Sequence, residues 1–444
     1  GMPAVEVAWR IQEGEPAYIN RVTVVGNTYT HEDVIRDRLL VLPGDVYSQD
    51  ALLQSYQAIS GLGFFETPLP TPLIEPTEDG DVNITFEVEE RQTGSINFGT
   101  AIGGYGGLSG FLGYDQPNLF GQAKSGHLRA EFGRFSTNFQ ASYTDPSILG
   151  SLYSGSASVF SRNNRFGLNG GFNLEGGEYR QTGTSIQFGV PLPFDRWTRA
   201  TIGYSIVNTS YDDFQSDETT TLFNLPTALQ SSLTLGLLRN TLNHTLFPTA
   251  GTRQQLSAQL NGGPLGGDGD FQKYIFEGSW YVPAGEVGGD APGSRPIRFT
   301  LGLNAEIGAI VGDPSLFPFE RFFMGGVQFG RTLRGYEETT ITPLGFIPEG
   351  QNGVPLEARL GDAYLRLSAE YAVRISDNLS LSTFYDAGNV WSGPGAINPA
   401  RLFRGAGLGV TLVTPFGPLG LDYAYGFDKT DPGWQLHFKM GPTF

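Results

Sequence analysis

The sequence predicts an all-β transmembrane barrel of about sixteen antiparallel strands behind a small N-terminal α+β domain. Three observations carry this. From Arg91 onward no helical period persists; alternating stretches of roughly ten residues are separated by clusters of Gly, Asn, Asp and Pro. No run of roughly eighteen apolar residues offers a transmembrane helix, and a closed barrel is the only other structure that spans lipid. Charged residues are only 16% of the chain, thin for a soluble protein, whereas 62 glycines suit a chain of many hairpins.

In chain order, Val5, Val7, Trp9 and Ile11 alternate with polar or small residues, so residues 1–14 read as the strand stub of a preceding domain. The opening Gly1-Met2-Pro3 has neither a basic nor an apolar signal-peptide region and reads as a cut end. Residues 15–90 form one domain. A strand from Ala17 to Val25 ends at the turn pair Gly26-Asn27. Thr30, three residues before Asp33, opens a helix of about ten residues with Val34, Ile35, Leu39 and Leu40 as its apolar stripe, closed near Pro43-Gly44. Ser48 caps a second helix with Leu52, Tyr56 and Ile59 on one face, stopped by Gly61 and Gly63. Phe64 to Ile74 reads as a Pro-interrupted edge strand, and after Asp79-Gly80 the residues Val82, Ile84, Phe86 and Val88 alternate with polar ones. This order, with "EGEPAYINRVTVVGNTYTHEDVIRDRLL" followed by "LGFF", resembles a POTRA (polypeptide-transport-associated) domain.

Residues 91–444 read as the barrel. Trp434, Leu436, Phe438, Met440 and Phe444 share one parity, with Gln435, His437 and Lys439 on the other. Leu365, Leu367, Ala369, Tyr371 and Val373 alternate with Arg366, Ser368, Glu370 and Arg374. Phe299, Leu301, Leu303, Ala305 and Ile307 alternate with Thr300, Asn304 and Glu306. One face suits lipid and the other water. A soluble sandwich also alternates, but at this length it would split into domains, and no linker or charge run interrupts residues 91–444. Phe384-Tyr385, Trp391, Tyr423, Tyr425 and Phe444 fit aromatic girdles at the membrane interfaces.

One connection, residues 312–361, is far longer than the rest, and loops of that length are functional or disordered. It carries Phe322-Phe323-Met324-Gly325-Gly326 and then Arg334-Gly335-Tyr336; downstream stands Phe384-Tyr385-Asp386-Ala387-Gly388. These residues resemble the outer membrane protein 85 superfamily, which includes the BamA assembly factor, the chloroplast import pore and the two-partner secretion transporters. Asn118-Leu119-Phe120-Gly121, Thr144-Asp145-Pro146, Pro248-Thr249-Ala250-Gly251, Pro415-Phe416-Gly417-Pro418 and Phe444 are similar to further family signatures, though each also reads as turn chemistry. The resemblance covers nearly the whole chain and extends to the cyanobacterial and chloroplast branch. It implies that the long loop folds back into the lumen with Arg334, Gly335 and Tyr336 at its tip, and that Phe384, Asp386 and Gly388 form the partner strand motif. Parity points the same way independently: with Leu379, Leu381 and Tyr385 facing lipid, Phe384 and Asp386 face the lumen, as does Glu370 on the preceding strand. A planar guanidinium suits two carboxylates.

Composition excludes other chemistries. The chain has no cysteine, so disulfides, thiolate metal sites and cysteine nucleophiles are absent. His31, His127, His244 and His437 are too widely spaced for a local metal pair or a triad, with His127 and His437 reading as lumen-facing. Gly103-Gly104-Tyr105-Gly106-Gly107 reads as a hairpin rather than a phosphate cradle, and Asp212, Asp213, Asp217 and Glu218 as a solvated loop. A net charge of −17 argues against nucleic acid. No cofactor and no enzymatic activity are expected. What the resemblance implies is an outer-membrane protein with its POTRA domain in the periplasm. It would insert β-barrel precursors or pass unfolded chains across the membrane, with unfolded outer-membrane protein precursors, membrane lipid and periplasmic or lipoprotein accessory subunits as partners. Insertase and two-partner-type secretion pore stay open; a passive solute porin and a receptor are the competing classes. The seam between the first and last barrel strands looks weak. Gly94, Gly99, Gly103 and Gly104 punctuate one side, Gly441-Pro442 interrupts the other before Phe444, and fewer ladder bonds are expected there than at neighbouring junctions.

Overall fold

The computed structural model describes the chain except residues 1–15, 104–106, 134–135, 167–176, 213–224, 245–246, 290–295, 328–329, 349–355, 377, 415–416 and 441–444. The strand stub expected at 1–14 and most of the acidic segment after Asp212 lie outside the described residues. The chain divides into two compact units. One is Gly1–Ser95 with Asp115–Gly126; the other is Ile96–Tyr114 with His127–Phe444.

The first unit runs β1 (Ile19–Val25), α1 (Glu32–Arg36), α2 (Gln49–Ser60), β2 (Leu73–Pro76) and β3 (Val82–Glu87). Its sheet has the order β1-β3-β2, with β1 parallel and β2 antiparallel to β3. Alternation puts Ile84 and Phe86 of β3 against Val22 and Val24 of β1, and Ile35, Leu52 and Ile59 cover them from the helices. Ser48 caps α2 by accepting the Ala51 N–H, and Gly61 ends it.

Two expectations need correction here. The first helix has five residues rather than about ten, and its N-cap is His31. After Arg36 the amides of Arg38 and Leu39 bond three residues back, and the Leu40 N–H turns to the Ser55 hydroxyl. The chain thereby tightens and unwinds, so Leu39 and Val41 reach the core while Leu40 is 55% exposed. Thr30 is not a cap, because its N–H bonds Glu90 and its hydroxyl accepts from Asn118. The expected edge strand is broken in two: Leu73–Pro76 pairs with β3, Phe65 makes a single antiparallel bridge to Glu90 with its ring in the core, and Pro68, Pro70 and Pro72 interrupt the ladder between them.

The second unit holds most of a 16-stranded sheet, of which Ser95 and the β5–β6 residues within Asp115–Gly126 fall in the first. In chain order its strands are β4 (Ser95–Gly103), β5 (Gly107–Leu119), β6 (Lys124–Gly133), β7 (Ser136–Asp145), β8 (Ser154–Phe166), β9 (Gly177–Leu192), β10 (Asp195–Asp212), β11 (Ala228–Asn240), β12 (Gly251–Asn261), β13 (Asp270–Val287) and β14 (Ile297–Asp313). The long loop follows, holding the two-residue strands β15 (Ile341–Thr342) and β16 (Gly345–Phe346). Then come β17 (Ala363–Arg374), β18 (Leu379–Trp391), β19 (Phe403–Thr414), β20 (Gly417–Gly426) and β21 (Gly433–Met440). Each barrel strand pairs with its neighbour in sequence, and β14 pairs with β17 across the loop.

Parity sorts the two faces. Leu301, Leu303, Leu367, Tyr371, Leu381, Tyr385, Trp434 and Leu436 are exposed on the outside, while Thr300, Ser368, Asp386 and His437 are buried inside. A wall with an apolar exterior and polar interior is a membrane barrel, and no helix among the described residues is long and apolar enough to cross a membrane. The loop shows how the sheet curls. Tyr211 on β10 donates its hydroxyl to the Leu316 carbonyl near the start of the loop, and His437 on β21 accepts the Gly335 N–H at its tip. The girdle expectation fails at two positions. Phe384 points inward under an arginine, and Trp391 is buried at the strand end where its carbonyl accepts the Asp362 N–H of the returning loop.

Candidate functional site

The site is the loop between β14 and β17 together with the wall that grips it. Its centre is Arg334, almost wholly buried on a segment without regular structure. Asp386 stands on the inward parity of β18 and is fully buried; it takes the guanidinium in a fork, Nε to Oδ2 at 2.6 Å and Nη2 to Oδ1 at 2.8 Å. Glu370 on β17 accepts from Nη1 at 3.0 Å. Ser368 donates its hydroxyl to Asp386 Oδ1 at 2.6 Å, completing the carboxylate's shell, and Asp422 of β20 lies 3.7 Å from Nη1. The Phe384 ring, one residue pair away on the same face, lies 3.3 Å beneath the guanidinium carbon. A buried charge pair repays its desolvation only with close geometry and further hydrogen bonds, and here both oxygens of Asp386 are engaged, one of them by Ser368 as well as the guanidinium.

The flanking residues hold the tip in place. Gly335 adopts φ +92° with its Cα against the Tyr425 carbonyl, a conformation and a clearance that a side chain would forfeit. Tyr336 is fully buried; its hydroxyl donates to the Arg404 carbonyl at 2.8 Å and accepts the Asp428 N–H at 3.1 Å. Gly325 and Gly326, both at positive φ, turn the chain so that the Gly325 N–H reaches the Arg331 carbonyl and the Gly326 N–H reaches Tyr336. Gly388 leaves room for Met324, whose sulfur would lie 2.6 Å from any Cβ there.

Several contacts escape sequence reasoning. Gly405 and Gly426 form a shallow in the wall: a Cβ at Gly405 would sit 2.1 Å from the Arg334 carbonyl oxygen, and one at Gly426 would sit 2.4 Å from that of Gly335. The available signal is the run Gly405, Gly407, Gly409 on one parity of β19, since strand glycine marks close backbone approach. Further ion pairs fasten the rest of the loop. Lys273 on β13 binds Glu320 at 2.9 Å, Arg321 forks onto Asp362, and Lys429 binds Glu337 at 2.8 Å. Arg331 bridges Glu277 and Glu306, and Glu306 also holds Arg366. His437, read only as lumen-facing, accepts the Gly335 N–H at 2.9 Å. Among the described residues no three His, Cys, Asp or Glu side chains gather as a metal site.

The seam residues fall differently. β4 and β21 are the two ends of the strand order, and among the described residues no ladder joins them. Gly94 precedes β4, Gly99 lies within it against the Phe111 ring, and Gly103 ends it; Gly441, Pro442 and Phe444 lie outside the described residues.

A loop tip carrying Arg-Gly-Tyr, clamped in the lumen of a barrel behind a POTRA-type fold, is decided by comparison. The Omp85 superfamily domain matches residues 118–444, and POTRA, the surface antigen variable number repeat, matches residues 17–91. The chain belongs to the Omp85 superfamily. It is 26% identical to "Outer membrane protein assembly factor BamA" of Nitratidesulfovibrio vulgaris over 99% of this chain and 53% of that protein. It is likewise 26% identical to the protein of the same name in Neisseria meningitidis, over 99% of this chain and 58% of that one. "Outer envelope protein 80, chloroplastic" of Arabidopsis thaliana is 26% identical over 93% of this chain and 54% of its own length. The chain thus spans about half the length of these relatives. BamA from Haemophilus ducreyi lacking POTRA domains 1–3 has the same fold, with TM-score 0.71 and 22% identity over 96% of this chain and 84% of that one. CdiB from Acinetobacter baumannii is more distant, with TM-score 0.57 and 14% identity over 95% of this chain and 73% of that one. As an Omp85 protein the chain resides in the outer membrane with its POTRA domain in the periplasm.

Proposed function

We propose that this Omp85 protein is an insertase that receives unfolded β-barrel precursors in the periplasm and places them in the outer membrane. The observation that carries this reading is the match of the POTRA domain and barrel together, over 99% of the chain, to proteins named outer membrane protein assembly factors. The geometry argues against a passive porin, because a lumenal loop tied to β10, β13, β18 and β21 occupies the path solutes would take. No cofactor, nucleotide or catalytic residue enters the mechanism; the driving energy is that of the substrate's own folding. The POTRA sheet ends on β2, whose four residues are all exposed, and an extended precursor segment adds there as a further strand through backbone hydrogen bonds. Membrane lipid and periplasmic or lipoprotein accessory subunits are the remaining partners. The test is reconstitution into liposomes with an unfolded barrel substrate. Acquisition of a protease-protected, membrane-integrated barrel is the expected result; release of soluble substrate into the vesicle interior would assign a secretion pore instead.

A further inference from the structure

The Arg334 clamp fastens the loop to β17 and β18, four and three strands in from the β21 end of the sheet. A further polar contact reaches the last strand. The backbone N–H of Gly335 donates to Nε2 of His437 on β21 at 2.9 Å, and the ring is buried. An imidazole nitrogen accepts a hydrogen bond only through a free lone pair, so this contact requires the neutral ring with its proton on Nδ1. A proton added at Nε2 would set N–H against N–H. The tip has no slack to turn away, because Arg334 on one side is forked onto Asp386 and Tyr336 on the other is bonded to Arg404 and Asp428.

The charges around His437 sharpen the requirement. The loop presents Arg334 and Glu337, β20 presents Asp422 directly opposite His437 in register, β21 itself carries Lys439 two residues on, and the β20–β21 turn carries Lys429. Asp422 is already engaged by Lys439 at 2.6 Å, and Glu337 by Lys429 at 2.8 Å. A protonated His437 would therefore join three cations whose counter-charges are in use. β21 is also the end of the strand order, so it has β20 on one side and no described ladder on the other.

We propose that His437 is a positioning residue: a neutral-imidazole latch that ties the tip of the lumenal loop to the terminal strand and releases it on taking up a proton. Protons bind the released form in preference to the latched one, so the latch weakens as pH falls. Its bearing on insertion, by freeing the strand at the seam, rests on the insertase reading; the latch itself does not, and its test needs no substrate.

Hydrogen–deuterium exchange of the peptide containing Gly335 would be followed in the purified full chain from about pH 8 to about pH 4, a range that brackets ordinary imidazole titration. Rates are corrected for the pH dependence of intrinsic exchange. His437→Gln offers a carbonyl oxygen to the same N–H but takes up no proton; His437→Leu offers no acceptor. The expected result is that acidification lowers loop-tip protection in the native chain by roughly tenfold, about what one buried hydrogen bond supplies, and leaves the Gln variant protected. The Leu variant should be as unprotected at pH 8 as the native chain is at pH 4. Parallel loss of protection in the native and Gln chains would assign the pH response to the surrounding carboxylates, and native-like protection in the Leu variant would remove the latch; either overturns the proposal.

Discussion

Arg334 matters chiefly through what its removal leaves behind. Asp386 is fully buried, and without the guanidinium only Ser368 would remain among its described side-chain donors. Stranding a buried carboxylate costs up to ~3 to 5 kcal/mol, less where lumenal water relieves it. Arg334→Ala should therefore free the loop while the strand ladders persist. Limited proteolysis would show faster cleavage within residues 314–362, with heat-dependent electrophoretic mobility of the barrel unchanged; a loop as resistant as the native one would refute the clamp. Arg334→Lys should fall between the two, since an ammonium cannot reproduce the fork. Gly405→Val is a second probe. Its Cβ would meet the Arg334 carbonyl at 2.1 Å, so it should release the same loop although it removes no polar contact. The carboxylates were legible because parity alone places Asp386 and Glu370 inward. The glycine shallow was not, because a strand glycine announces a close approach without saying what approaches.

At the scale of elements, Glu90 pins the turn that leads from β1 into α1. Its carboxylate accepts the Thr28 N–H at 3.0 Å and hydroxyl at 2.6 Å, the Tyr29 N–H at 2.7 Å and the Thr30 N–H at 2.5 Å. Burial raises its pKa, but the bonds from Thr28, Thr30 and Tyr29 outweigh this and hold it at about 2, against an ordinary value of 4.5. Because the folded carboxyl titrates below the unfolded one, its contribution to stability is complete above about 4.5 and is lost as pH falls toward about 2. Exchange protection of residues 26–31 in the full chain should decline through that window, and Glu90→Gln should weaken protection at neutral pH and flatten the decline. An unchanged profile in the variant would rule Glu90 out as the cause. These bonds also explain why α1 was misread. Thr30 has the chemistry of a cap, but Glu90, far along the chain, claims its N–H, and no local pattern announces such a partner. The barrel strands were easier, since alternation is a local signal repeated in each of them. The girdle assignment erred where Phe384 was taken with its neighbour Tyr385, although the two lie on opposite faces of one strand.

At the scale of the molecule, the sheet has two ends, and how they meet decides the route into lipid. Strand closure is worth what its backbone bonds supply, and β4 brings Gly99 and Gly103 to the junction while Gly441 and Pro442 follow β21. Glycine raises the entropic cost of ordering a strand and proline donates no ladder bond, so this junction is the weakest candidate for permanent pairing. The neighbouring β20–β21 ladder, by contrast, runs in unbroken register from Gly426↔Gly433 to Leu419↔Met440. Among the described residues no ladder joins β4 to β21, so a precursor strand adding at this junction would meet less backbone pairing than at the β20–β21 ladder. Because the chain contains no cysteine, engineered pairs along Ser95–Gly103 and Gly433–Met440 would be its only thiols. Oxidised pairs should stop membrane insertion of an unfolded barrel substrate, and reductant should restore it; a control pair across β20 and β21 should have no effect. If a verified disulfide at the junction left insertion undiminished, the substrate would have to enter without the seam parting, and thinning of the bilayer beside the barrel would become the better account.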